Sequence, residues 1–184
     1  MTDPRASVRV TSVTASDMDT WEHEVVTVVR PDFTSFYRAA YGEVAKALVV
    51  TLGNADLGRE AADEAMARCY ARWSVVQHYD NPSGWVYRVG LNWARSRLRR
   101  AARWLALDRP EPVTLPAVAD PQIHAALGEL TFDLRSIVVC RLLLDWSTAE
   151  TADALNLRPG TVKSRLSRAK AQLEMKLNHM RLEG

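Results

Sequence analysis

The chain holds little that would let it bind a metal, cross a membrane or catalyse a reaction. Its 184 residues include two cysteines, Cys69 and Cys140, in neither a CxxC pair nor a Cys/His cluster. Each sits in an apolar helical pattern, which predicts reduced, buried thiols. The four histidines are scattered without metal-ligand spacing, so no zinc site is expected. No run of about 18 apolar residues is present, and the N-terminus lacks an apolar signal core. The expectation is a cytoplasmic protein without membrane insertion. There is no Gly-rich phosphate loop, no nucleophile paired with a base and no carboxylate cluster. Asp63 and Glu64 are adjacent and therefore point to different sides of a helix. These absences argue against an enzyme and against any cofactor. No segment carries a strand pattern or an internal repeat.

What is present is basic charge in two places. The formal net charge is only +2, so the total decides little. Arg95 to Arg103 holds five arginines and no acid. Leu157 to Leu173, LRPGTVKSRLSRAKAQL, holds five basic residues and no acid. Two separated basic patches predict a polyanion gripped at two points.

Helical periodicity dominates from Asp32 onward. Residues 1–30 are polar and β-branched without a clear period; they read as a loosely ordered extension with a short helix near Trp21–Arg30. Phe33, Phe36, Tyr37, Tyr41, Val44, Leu48 and Leu52 follow a three-to-four spacing that Gly53 and Asn54 close. A second helix is expected from about Asp56 to Trp73. Ala62, Met66, Cys69 and Trp73 share its apolar arc, with Ala65 and Tyr70 at the edges. SVVQHYDN (74–81) is a connection, and Asn81-Pro82 reads as N-cap and first helical position. The third helix, to about Arg103, has two apolar arcs. Between them runs a polar seam of Arg88, Asn92, Arg95 and Arg99. Residues 104–120 contain three prolines and read as a linker. Two more helices are expected in PQIHAALGEL and FDLRSIVVCRLLLDW. Ser147 and Glu150 then form a capping box that opens a short helix ending near Leu155. The turn NLRPG leads into the basic C-terminal helix.

A capped short helix, a tight turn and a second helix make a helix-turn-helix pattern. Ala149, Ala152, Leu155 and Leu157 are expected to pack against Val162 and Leu166. Lys163, Ser164, Ser167 and Arg168 would then face outward, and these side-chain types suit base edges and phosphates in a major groove. Thr161 and the backbone N–H groups near Gly160 lie at the helix start, which favours a phosphate. The third helix mixes arginines and an asparagine with tryptophans and a tyrosine, a composition suited to single-stranded nucleic acid. By helical phase alone Trp85 and Trp93 read more readily as core. Gln77, His78, Tyr79 and Asp80 can line a pocket for a flipped base.

From about Asp32 to Leu177 the chain resembles bacterial RNA polymerase sigma factors of the extracytoplasmic-function (ECF) subfamily of the sigma-70 family. The most specific stretches are GWVYRVGLNWARSRLRR (84–100) and DWSTAETADALNLRPGTVKSRLSRAKAQL (145–173). GREAADEAMARCYARW (58–73) resembles the helix that docks on the polymerase clamp. The resemblance implies an all-α fold of two small helical domains. A region 2-like domain (31–103) and a region 4-like helix-turn-helix domain (121–184) would be joined by a flexible linker (104–120), with residues 1–30 as an extension of no assigned function. It implies core polymerase as partner, through the clamp coiled coil of the largest subunit and the flap of the second-largest. It implies promoter DNA, and an anti-sigma factor as a further partner. Glu60, Asp63 and Glu64 would face core polymerase. Arg88, Asn92, Arg95 and Arg99 would follow the melted −10 strand. Thr161, Lys163, Ser164, Ser167 and Arg168 would meet the −35 element, with Arg165 bracing the fold or touching a phosphate. The chain departs from the family pattern at Asp63, where glutamine is usual, at Leu91 for arginine and at Ser96 for aspartate. LTFDLR (130–135) replaces a usual Leu-Pro…Gln-Arg start.

The nearest rival is a conventional helix-turn-helix regulator acting without core polymerase, whose last two helices would read alike. It needs a sensor or phosphoacceptor unit, and the first half offers a basic, aromatic helical unit instead. A nucleic-acid enzyme is the rival of another class, and divalent-metal-dependent cleavage of DNA by the chain would identify it. A third rival is an ECF-like chain serving only as an interaction partner.

Overall fold

The computed structural model describes residues 32–104 and 121–183, and among them every regular element is helical. Helix α1 (Phe33–Leu52) starts at Asp32, whose carboxylate accepts from the Ser35 N–H at 2.8 Å. It stops at Gly53, in the left-handed region at φ 71°. Asn54 belongs to the next helix rather than closing α1. Its side chain accepts from the Leu57 N–H at 2.9 Å and caps α2 (Ala55–Ala71). The second helix ends at Ala71, short of the expected Trp73, and Trp73–Val76 form a one-turn helix, α3, that runs into the stretch expected to be a connection. Helix α4 (Pro82–Trp104) opens as expected, with the Asn81 side chain accepting from the Gly84 N–H at 2.7 Å. It includes Trp104, the first residue assigned to the linker. The rest of the linker and the N-terminal extension lie outside the described residues.

Helices α1, α2 and α4 pack around Val44, Leu48, Ala61, Ala65, Met66, Cys69, Val86 and Leu91. Small residues on α2 set the approach. A Cβ at Gly58 would lie 2.5 Å from the Val49 Cα, so α1 and α2 touch backbone to backbone. Trp85 and Trp93 are half-buried against this core, which favours their structural reading. Tyr70 is not part of the buried arc: it is 68% exposed, with its ring 5.0 Å from that of Phe33.

The second half begins with α5 (Pro121–Glu129) and α6 (Phe132–Val138). The expected single helix from Phe132 to Trp146 is interrupted by a π-helical turn, Val139–Leu143. The Leu144 N–H donates to Val139 O and the Trp146 N–H to Cys140 O, both at 3.0 Å. Asp145 then turns the chain at φ 50°. Helix α7 (Thr148–Leu155) carries the expected capping box. The Glu150 N–H donates to Ser147 Oγ at 3.1 Å and the Ser147 N–H to Glu150 Oε2 at 2.7 Å. Helix α8 (Pro159–Glu183) runs well past Leu173. Val162 packs with Ala152 and Ile137, flanked by Leu155, Leu157 and Leu166. Ala149 is exposed rather than at the crossing, and Ile137 of α6 fills that place. Losing the box through Ser147→Ala should cost about 1 kcal/mol. A lower denaturation midpoint with an unchanged m-value checks this.

The two halves share one core. Val139, Cys140, Trp146 and Ala154 are buried together with Leu48 and Tyr87. The Tyr87 and Trp146 rings meet edge-on, centroids 5.7 Å apart. The Tyr87 hydroxyl pairs with Thr51 Oγ1 at 2.6 Å, both fully buried. Burial raises the Tyr87 phenol well above its ordinary range and pushes the Cys140 thiol up to about 12. Cys69, inside the first core, rises to about 11 for the same reason. Both thiols are free and buried, as expected.

Candidate nucleic-acid interface

Arginines join the two halves by capping helix C-termini. Helices end with carbonyls that lack intrahelical partners and carry partial negative charge. Arg135 donates to Leu127 O, Gly128 O and Leu130 O at 2.8, 2.7 and 2.9 Å, closing α5. It also reaches Thr51 O in the last turn of α1, at 3.3 Å. Burial lowers its pKa from the ordinary guanidinium value. Arg88 of α4 reciprocates, donating to Asp153 O near the end of α7 at 3.3 Å.

This packing decides where the α4 seam lies. Arg88, Asn92 and Arg95, with the buried Leu91, form one wall of a cleft of about 370 Å³. Ala154, Leu155 and Asn156 of the helix-turn-helix form the opposite wall. Arg95 donates to Asp133 Oδ1 at 3.3 Å and stands 4.4 Å from the centroid of the Phe132 ring. Arg99 is exposed and donates to Ser96 Oγ at 2.9 Å. A second cleft, on the other side of Arg88, is lined by His78, Tyr79, Asp80 and Trp85 against Glu150 and Asp153. The 78–80 loop thus borders a cavity as anticipated, without Gln77, and with part of the second half as its far wall.

The C-terminal face is open. Lys163, Ser164, Ser167 and Arg168 are all exposed along α8, and the turn before it is fixed by Asn156 in the left-handed region at φ 54°. The Thr161 N–H is already donated to Arg158 O at 2.9 Å, and Ser164 Oγ to Thr161 O at 3.1 Å. Arg165 is a brace: it bonds Asp133 Oδ2 at 3.0 Å. Each of the three acids of α2 has a partner, on α4, α1 and α2 itself. Glu60 pairs with Arg97, Asp63 accepts from the Tyr41 hydroxyl at 2.7 Å, and Glu64 accepts from Arg68 at 2.8 Å. The bond to Asp63 pushes the Tyr41 phenol up to about 12. Among the described residues no His, Cys, Asp or Glu group could hold a metal, and no helix is long and apolar enough to cross a membrane.

Residues 121–173 match the family model for sigma-70 region 4. The chain is 27% identical over 153 residues to the ECF RNA polymerase sigma factor SigM of Mycobacterium tuberculosis, covering 80% of this chain and 78% of that protein. It is 33% identical over 120 residues to the RNA polymerase sigma-E factor of Streptomyces coelicolor, covering 61% of this chain and 67% of that protein. The sigma factor RpoE of Bartonella quintana, crystallised with the anti-sigma factor NepR, has a similar fold. That match has a TM-score of 0.69 at 18% identity, over 80% of this chain and 97% of that one.

Proposed function

The chain belongs to the extracytoplasmic-function group of sigma-70-type RNA polymerase sigma factors, and from that premise we propose how its surfaces divide the work of promoter-directed transcription initiation. The acids Glu60, Asp63 and Glu64 of α2 dock on the clamp coiled coil of core polymerase, where their charge suits a basic partner. Arg88, Asn92, Arg95 and Arg99 follow the melted −10 strand. Lys163, Ser164, Ser167 and Arg168 read the −35 duplex, with Thr161 near a phosphate. The observation that carries this reading is α8. Its back face is buried through Val162 and Ala169, while its front exposes four groove-reading side chains. The flap of the second-largest subunit takes the C-terminal half. An anti-sigma factor is a further partner, as NepR is for the similar RpoE of Bartonella quintana. The conventional regulator is not favoured, because relatives named as RNA polymerase sigma factors match across both halves.

The test is run-off transcription by bacterial core polymerase, with and without the chain, on a fragment carrying its own upstream region. A new transcript is expected. Arg168→Ala should weaken promoter binding by about 1–3 kcal/mol, roughly 5- to 150-fold, and abolish the transcript while core binding persists. Two weak DNA contacts act together only when polymerase holds both, so the isolated chain should bind the same fragment poorly. Failure to bind core would return the choice to the conventional regulator.

A further inference from the structure

One acid joins the two basic surfaces. Asp133 takes Arg95 of the α4 seam on one carboxylate oxygen and Arg165 of α8 on the other. It stands in the first turn of α6, in the stretch where the sequence departs from the family pattern. The Phe132 ring beside it holds the Arg95 guanidinium from a second direction. A strand could follow Arg88, Asn92 and Arg95 only after the wall of Ala154, Leu155 and Asn156 moves away.

We propose that Asp133 is an internal stand-in for nucleic-acid phosphate. Anchored by Arg165 within its own half, it holds Arg95 of the other half and keeps the chain closed over the α4 seam, and an entering strand must displace it. The inference rests on reading that seam as a nucleic-acid face. The apolar contacts around Tyr87 and Trp146 contribute most of the closure, whereas the carboxylate makes it responsive to a polyanion. Its side chain is 52% exposed, and those of Arg95 and Arg165 are 42% and 33% exposed. Such a bridge is weak and screened by salt, so a strand offering several phosphates can replace it.

The two cysteines supply the test in the full chain. Cys140 is fully buried in the shared core and is reached when the halves part. Cys69 lies within the core of α1, α2 and α4 and reports unfolding. Iodoacetamide labelling, read peptide by peptide by mass spectrometry, follows both. Binding of a labelled oligothymidylate strand at low salt follows the seam. Asp133→Asn should raise the rate of Cys140 labelling about two- to five-fold and tighten strand binding by a similar factor, because the competent population grows. Glu129→Gln makes the same charge change at the Lys176 pair and should do neither. Arg95→Ala should raise Cys140 labelling while weakening the strand.

Equal Cys140 labelling in Asp133→Asn and Glu129→Gln overturns the proposal whatever the affinities. Faster labelling with unchanged strand binding supports the closure and instead overturns the reading of the seam. If Cys69 is labelled in step with Cys140, the variant has unfolded. Arg95→Gln then breaks the same crossing pair from the α4 side and is judged by the same labelling criterion.

Discussion

Gly58→Ala should destabilise the chain by about 3 kcal/mol, although alanine is the better helix former by about 1 kcal/mol. Propensity and packing have opposite signs here, and geometry decides between them. The new methyl would stand 2.5 Å from the Val49 Cα and 2.7 Å from its N. These are backbone atoms of α1, held by that helix's own hydrogen bonds, so no side chain can rotate away. The helices must separate, and separation loosens Val44, Leu48, Ala61 and Ala65 together. The matched control is Gly42→Ala. Gly42 is exposed in α1, and a methyl added there would meet nothing within 4 Å, so its variant should gain about 0.5–1 kcal/mol. For a chain of this size that means a melting temperature about 6–12 °C lower for Gly58→Ala and about 1–4 °C higher for Gly42→Ala. Two shifts of the same sign would refute the account of the α1–α2 crossing.

Trp146→Ala should cost about 3–5 kcal/mol, and the loss should appear as separation of the halves. Trp146 is 7% exposed and packs edge-on against Tyr87, in the core that includes Cys140 and Leu48. Without it the first half still has Val44, Leu48, Met66 and Val86. The second keeps Ile137, Ala152 and Val162, and the cluster of Leu130, Leu134, Val138 and Ala169. The expected calorimetric result is two transitions in place of one. Cys140 should become reactive at temperatures where Cys69 does not. One cooperative transition at reduced temperature would mean that neither half stands without the other.

Much of the fold is legible in the sequence because caps and periods are local. Asp32, Gly53, Asn81-Pro82 and the Ser147–Glu150 box mark helix ends through groups three or four residues apart. Asn54 is easily misplaced because a polar residue after a glycine can end one helix or begin the next; only the bond to the Leu57 N–H decides. The π-helical turn leaves no signal, since VVCRLLL is as compatible with an unbroken helix. The exposed face of α8 is legible from its phase against Val162 and Ala169. What covers the α4 seam is not. Phase separates polar from apolar sides of a helix but does not say which distant surface lies opposite. Arg88 meets Asp153 and Thr51 meets Arg135 across 65 and 84 residues of chain. Arg135 is hidden for a related reason: a guanidinium that closes three carbonyls of its own half and one of the other follows no motif spacing.

The reciprocal arginine caps make opening a hydration reaction. When the halves part, Thr51 O and Asp153 O must find water in place of guanidinium, and the faces around Tyr87 and Trp146 become wet. Solutes excluded from protein surface, such as sucrose or trimethylamine oxide, oppose any such exposure. Water activity therefore enters the equilibrium between closed and open chain, and a concentrated, osmolyte-rich medium favours the closed form.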